Sequence, residues 1–397
     1  MKLLFMTNLF PKEKEAEIRS KMKFNMNDAA NALQWNIVNG LEECGVGDMT
    51  LYNHLPLDSF PENYPEWYVK GFPFSHDGKQ EDKCIPFFNL KYVKQLFVHR
   101  PFVKESARWA KKNPEGVILS YTLSMIFLKA IRKAKKKSPG IRAYAVVADL
   151  PQFTMRTGNP LRRWFRKRTV KKTQKLLRHL DGFVLLTEQM AEKLAITQPY
   201  IVMEGIAPTL EREASVAEGP EKTVLYTGSM NKQFGILTLL DAFGQIKDPH
   251  YRLVLCGLGN AEEEIARRAK EDPRISFLGK VPHGEVLRMQ QRATVLVNPR
   301  QNIEEFTKYS FPSKTMEYLA SGTPVVAYHL DGIPAEYGEY LRYVPDNSPE
   351  ALAAAIKEIC EKPAEERLAM GEKGRSFVLN EKNNAKQSKK ILDFMTK

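Results

Sequence analysis

Lys314 and Glu317 stand three residues apart in the run YSFPSKTMEYLASGTPVV, residues 309 to 326. On a helix that spacing puts both side chains on one face. The lysine then offers a full positive charge to an anion, and the carboxylate can accept both hydroxyls of a ribose. Phe311 leads into the helix, Pro312 pre-sets φ at its first position, and Ser313, Lys314 and Thr315 follow in a first turn whose free N–H groups attract phosphate. Gly322 closes the helix, and TPVVAY reads as a buried strand. The pair is either one half of a nucleotide site or an exposed ion pair on an ordinary helix, and the segment around it favours the nucleotide.

TVLYTG runs into GSMNKQFG, residues 228 to 235, and then into the amphipathic ILTLLDAF. Strand, glycine loop and helix make the layout of a phosphate cradle. Gly228 and Gly235 permit close backbone approach, Ser229 follows the first glycine, and Lys232 is the loop's only cation. Lys232 is a candidate diphosphate ligand or else a flexible surface lysine. A charge contact at about 4 Å is worth up to roughly 4 kcal/mol at an effective dielectric near 20, so Lys232 and Lys314 can meet a diphosphate without a metal. A second loop, Gly257-Leu258-Gly259-Asn260, follows RLVLCG. Asn260 is expected to cap a helix whose first turn holds Glu262 and Glu263, which would repel phosphate and leave a base or sugar as ligand. Arg300, after the strand TVLVNP, serves either a diphosphate or a structural ion pair.

Residues 309 to 326 resemble the nucleotide-sugar segment of family 4 glycosyltransferases, which are retaining enzymes. The resemblance implies an α/β chain of the GT-B type, two doubly wound Rossmann-like domains facing each other across a cleft. It implies a nucleotide-diphosphate sugar as donor, a UDP-sugar before a GDP-sugar, with no cofactor and no required metal. Glu317 matches the glutamate that holds the donor ribose. The glutamate the family carries eight residues earlier is replaced by Tyr309, with Glu304 and Glu305 a few residues upstream. An arginine and a lysine common in the family's first glycine loop are replaced by Ser229 and Phe234. Val281 falls where main-chain groups hold the nucleobase, with Asn298 and Arg300 at the next strand's mouth. The departing diphosphate, stabilised by Lys232, Lys314, helix N-termini and loop amides, is expected to take the acceptor's proton.

The elements that position these residues alternate strand and helix twice over, which predicts two doubly wound sheets. KLLFMTN, GVILSY, RAYAVVAD, DGFVLL and YIVMEG are the strands of the first; TVLYTG, RLVLCG, ISFLG, TVLVNP and PVVAY those of the second. Residues 207 to 221 are polar and aperiodic and read as a linker, so the domains are 1–206 and 222–379, with a last helix at 380–397 that the resemblance returns to the first domain. Ligands of such sheets bind beyond the carboxyl ends of the strands. In the first domain the candidate acceptor side is the helix at 25 to 41, with Ala30, Leu33, Ile37 and Leu41 as its buried stripe. Asn27, Asn31 and Gln34 lie off the stripe, where amides meet sugar hydroxyls or only water. Asp149 ends VVADLPQF and is the catalytic candidate there, or else caps the loop.

The net charge of +13 is unevenly spread. Residues 1 to 200 hold 34 Lys and Arg against 19 Asp and Glu, a balance of +15, and the rest hold 26 against 28, a balance of −2. Much of the excess lies in residues 129 to 137 and 161 to 180, neither of which contains an acid. Asn159 and Pro160 start the second run as a helix, with Arg163, Lys167, Lys171, Lys175 and Arg178 on one arc around Trp164. Such a face suits an anionic membrane, with a solvated surface as the plain alternative; nucleic acid is not expected, for want of a recognition motif. No apolar run spans a bilayer, MKLLFMTNLF reads as a strand, and Cys44, Cys84, Cys256 and Cys360 read as free thiols, with no zinc pattern. The expectation is a cytoplasmic enzyme, peripheral on the inner membrane face, moving a hexose to a lipid-linked or membrane-bound glycan. Two rivals stand beside it: a 2-epimerase acting on a nucleotide sugar, and a catalytically silent partner in a glycan-synthesis complex.

Overall fold

The computed structural model describes residues 1–23, 28–79, 81–90, 99–150, 160–212, 221–303 and 305–397, and the side chains of the helix Pro160–Leu177 from Arg168 onward. The chain divides into two compact units, Met1–Ile206 with Asn384–Lys397, and Ala207–Asn383. Residues 207 to 212 thus belong to the second unit, and the returning helix is Asn384–Thr396.

The strands of the first unit are β1 (Leu3–Thr7), β2 (Met49–Asn53), β3 (Tyr68–Val69), β4 (Phe72–Phe74), β5 (Asp82–Cys84), β6 (Phe87–Phe88), β7 (Val117–Tyr121), β8 (Arg142–Val147), β9 (Gly182–Leu185) and β10 (Tyr200–Val202). Eight form a sheet in the order β10-β9-β8-β7-β1-β2-β5-β4, parallel except for the β4–β5 pair at one edge. β1 and β7 are buried at every position, as strands covered on both faces must be, which is why LLFMT and VILSY read as unbroken apolar runs. β2, with the sequence MTLYN, has no such run and is not foreseen from the sequence, although its neighbours bury all of it but Thr50. The helix Asn384–Thr396 packs on the helix Asp28–Glu43, where an added Cβ on Gly40 would overlap Ser388.

The second unit carries β11 (Lys222–Thr227), β12 (Tyr251–Cys256), β13 (Ile275–Gly279), β14 (Val295–Asn298), β15 (Val325–Tyr328) and β16 (Arg342–Val344), all parallel, in the order β13-β12-β11-β14-β15-β16. That is the doubly wound 3-2-1-4-5-6 order, and its direction reverses between β11 and β14. The first unit repeats the pattern, with its reversal between β1 and β7. Both units are therefore Rossmann-like, and each has one place where the loops diverge to admit a ligand.

Candidate functional site

Glu317 and Lys314 lie on the helix Ser313–Ser321, which follows the loop beyond β14 and precedes β15. Lys314 Nζ donates to Glu317 Oε1 at 2.6 Å, and Gln290 Nε2, from the helix His283–Arg292, donates to the same oxygen at 2.6 Å. Gln290 Nε2 also donates to Thr227 Oγ1 at 2.9 Å, at the carboxyl end of β11. The Tyr318 hydroxyl accepts from Thr227 N at 2.8 Å and donates to Thr227 O at 3.0 Å. The helix is thereby fixed to the end of the central strand, and Glu317 is held at the sheet's reversal point. Burial pushes its carboxyl group up, but the Lys314 charge, the hydrogen bonds from Gln290 and Lys314, and the His283 charge together hold its pKa below the ordinary 4.5. It is a carboxylate at neutral pH. With both bonds on Oε1, Oε2 is left to accept from a ligand hydroxyl.

The glycine loops close around the same point. Gly235 has φ +81 and lies against the Pro299 carbonyl, and Gly257 has φ +146 and lies against the Gly228 carbonyl; a side chain at either would overlap backbone. Gly228 N donates to Cys256 O at 2.9 Å. Ser229 is engaged locally, its hydroxyl accepting from Asn231 Nδ2 at 2.7 Å and its carbonyl from the Tyr226 hydroxyl at 2.9 Å. Lys232 is exposed on the short turn Lys232–Phe234, and its backbone N–H donates to Asn260 Oδ1 at 2.8 Å. Arg300 is buried beyond β14, beside Phe234 and Phe306.

The expectations for Asn260, Gly259, Phe311, Pro312, Thr315 and the Arg300 ion pair need correction, while Val281 and Tyr309 are simply placed. Asn260 joins the two glycine loops and caps no helix; the N–H of Gly259 is taken by Glu262 Oε1 at 2.7 Å and is closed to a ligand. Phe311 packs in the core against Tyr337, because the chain turns inward to enter the helix. Pro312 sits just before the first helical residue rather than on it. Thr315 also faces inward and is 1% exposed, whereas Ser313 is exposed. Val281 packs partly against the core in the turn before the helix His283–Arg292, and Tyr309 ends the short helix Glu305–Tyr309 half-buried. Arg300 makes no ion pair among the described residues, so the structural-pair alternative falls. Glu304 lies outside the described residues.

Gln290 and His283 are missed by sequence reading. Gln290 occupies the buried stripe of its helix, four residues after Val286, and a glutamine at a core position is the signal that was available.

In the first unit, a cavity of about 350 Å³ opens beside the reversal point, lined among others by Asn8, Asn31, Gln34, Thr122 and Asp149. Asn31 and Gln34 do reach the same place, each with its amide oxygen already engaged. Asn31 Oδ1 accepts from Phe10 N at 2.8 Å, while Gln34 is fully buried, accepting from Asn8 N at 2.7 Å and donating to Asn8 O at 2.9 Å. Gln34 thus lies on the buried stripe, where it latches the β1 loop, and Ala30 and Leu33 are only half-buried. Asp149 keeps an exposed surface, yet the cavity walls displace enough water to raise its pKa above the ordinary carboxylate value. Thr122 has φ +73, a strained conformation for a β-branched residue and of the kind that collects at functional sites. Asn27 and Asn159 lie outside the described residues.

Two Rossmann-like units with a polar site at the reversal point of each define the GT-B class of fold. Residues 221–362, which hold all six strands of the second unit, match the family described as "Glycosyl transferases group 1". A D-inositol 3-phosphate glycosyltransferase of Corynebacterium glutamicum is 26% identical over 223 residues, covering 51% of this chain and 50% of that protein. The same-named protein of Corynebacterium kroppenstedtii is 29% identical over 163 residues, 38% of this chain and 35% of that one. The chain thus spans about half or less of the curated relatives it matches. Among solved structures, a sucrose-phosphate synthase of Thermosynechococcus elongatus and Anabaena Alr3699/HepE in complex with UDP each superpose with a TM-score of 0.66, at 16% and 13% identity, over 100% of this chain and 98% and 100% of theirs. These likenesses are of fold.

Proposed function

We propose that the protein is a retaining glycosyltransferase that moves a hexose from a nucleotide-diphosphate sugar, a UDP-sugar in the first instance, to a lipid-linked or membrane-bound glycan. The observation that carries the reading is Glu317, an ionised carboxylate pinned on Oε1 by Lys314 and Gln290 at the mouth of β11, with Oε2 left for a ribose hydroxyl. The UDP in the Anabaena neighbour agrees with the base preferred here. Lys314 and Lys232 stand ready for the diphosphate, whose departing oxygen takes the acceptor's proton. Asp149, in the cavity of the first unit, orients the acceptor hydroxyl.

The membrane part of the reading rests on charge. Lys129, Arg132, Lys133, Lys136 and Arg178 line a pocket of about 860 Å³ in the first unit. Lys171, Lys175 and Arg178 are exposed along and just beyond the basic helix, whose Arg163, Trp164 and Lys167 side chains lie outside the described residues. On the β3–β6 ribbon, Trp67, Tyr68 and Phe88 are exposed beside Arg100, an arrangement that suits the headgroup level of an anionic leaflet. No helix of the described residues is long and apolar enough to cross a membrane.

Calorimetry with UDP, GDP, ADP and CMP tests the donor half. Selective binding of one nucleotide, weakened in Glu317→Ala, supports it, and no binding of any leaves a silent partner as the better reading. Vesicle sedimentation of the variant lacking Arg163, Trp164, Lys167 and Lys171 tests the acceptor half; undiminished binding to anionic vesicles removes that helix from the proposal.

A further inference from the structure

Arg300 is placed where a cation is costly and without a visible return. It follows β14, across the reversal point from the β11 loop, and is 8% exposed. Its Nε and Nη2 are buried with no hydrogen-bond partner among the described residues. The rings of Phe306 and Phe234 stand 4.6 Å and 5.6 Å from the guanidinium carbon. Burial lowers its pKa to about 10, against a smaller opposing influence of Tyr226, so it remains charged at neutral pH. Aromatic faces offset part of the desolvation of a guanidinium, but they cannot satisfy in-plane N–H donors. Buried donors without acceptors, on a charged group, oppose folding. A group kept in that condition beside a ligand crevice is completed by something that binds.

What would complete it is an anion with paired oxygens, since the guanidinium fork matches phosphate geometry. The adjoining loop supplies little charge of its own. Between Gly228 and Gly235 its only cation is Lys232, which is exposed, and Phe234 turns its ring to Arg300 instead. Resting on the nucleotide-diphosphate reading above, we propose that Arg300 is the principal diphosphate anchor of this site, its charge entering from the mouth of β14 in place of a charge on the β11 loop. Phe234 and Phe306 are then the walls that hold the fork's plane and exclude water, which strengthens the contact. Lys314, which also donates to Glu317 Oε1, is then the secondary diphosphate contact.

The test is calorimetry on the full chain with UDP and uridine, and with GDP and guanosine, for wild type, Arg300→Lys and Arg300→Gln. In wild type the diphosphate binds much more tightly than its nucleoside. Arg300→Gln weakens the diphosphate by about 30-fold or more, the scale expected when one partner of a buried charged contact is removed, and leaves the nucleoside unchanged. Arg300→Lys falls between, because a point charge cannot reproduce the fork. The ligand-free melting temperature of Arg300→Gln stays level or rises, since an unpaired buried charge has gone. Should that variant not fold, the diphosphate-to-nucleoside ratio of Arg300→Lys decides alone. Equal diphosphate affinity in folded variants overturns the anchor and leaves the donor reading standing, as does parallel loss of diphosphate and nucleoside with a lowered melting temperature. Wild type that binds no nucleotide at all overturns the donor reading, and the anchor with it.

Discussion

The side-chain amide of Gln290 joins Glu317 to the central strand, donating to Glu317 Oε1 at 2.6 Å and to Thr227 Oγ1 at 2.9 Å. A hydrogen bond to a charged group contributes about 1.5–3 kcal/mol. Gln290→Ala is expected to weaken UDP binding roughly 10-fold to 100-fold, the affinity equivalent of that range. Gln290→Glu sets a second carboxylate against Glu317 and should abolish binding at pH 7.5, with partial recovery at pH 5 as the pair shares a proton. Titration calorimetry at both pH values checks this. Binding by the glutamate variant that is equal at the two pH values would falsify the arrangement.

The glycine loops are predicted to be intolerant at one position and indifferent at another. Gly257→Ala forces a Cβ onto the Gly228 carbonyl in a backbone region that L-residues avoid, and should destabilise the second unit by about 2 kcal/mol or more. Gly244, in the helix Ile236–Gln245, has nothing within 4 Å of an added Cβ. Gly244→Ala should stabilise by roughly 0.5–1 kcal/mol through helix propensity alone. Urea unfolding of both variants measures the contrast.

A pH dependence of stability is set in the first unit by His76. Its ring Nδ1 lies 2.6 Å from Asp82 Oδ2, and Glu42 is 3.8 Å from Nε2. Burial, the largest single influence, lowers its pKa, yet the Asp82 hydrogen bond and the charges of Asp82, Asp77 and Glu42 outweigh it, and the value stands above 6.5. A raised histidine contributes stability that is full below its unfolded value of 6.5 and is lost as pH climbs through the folded value. The melting temperature of the first unit should therefore fall with rising pH above 6.5. Calorimetric scans of His76→Asn should show a flatter profile across that window.

Asp149 supplies a kinetic test. With its pKa raised by desolvation, the carboxylate forms at a higher pH than an ordinary aspartate, so turnover should rise with pH on the acid side through that displaced value. Asp149→Asn should remove this limb and most of the turnover while UDP affinity stays as in wild type. Initial rates and calorimetry together decide, and loss of UDP affinity would place Asp149 outside an acceptor role.

The C-terminal helix should matter to one unit only. It abuts Gly40 at Ser388, and Phe394 stacks edge-on with Tyr144 at 5.4 Å. Gly40→Leu, or truncation after Asn383, should lower the melting temperature of the first unit and leave UDP binding by the second intact. Differential scanning calorimetry with and without UDP separates the two effects.

Much of this protein was legible in its residues. Unbroken apolar runs such as LLFMT, VILSY and VLYT are what strands buried on both faces require, so the doubly wound character of both halves follows from local pattern. Lys314 and Glu317 are legible for the same reason, since three residues on a helix fix their proximity whatever surrounds them. Strands without such runs stay hidden: MTLYN becomes β2 only because β1 and β5 flank it. Tertiary structure alone decided which polar groups are free. Gln34 and Gln290 are both buried glutamines on helices, yet one is consumed by the backbone of Asn8 and the other reaches Glu317. Phe311 lost its expected role on the same ground, drawn into the core, and Arg300 kept one of its two alternatives, being buried with unpaired donors. Hydrogen-bond satisfaction and burial depend on atoms distant in the chain, and no local spacing encodes them.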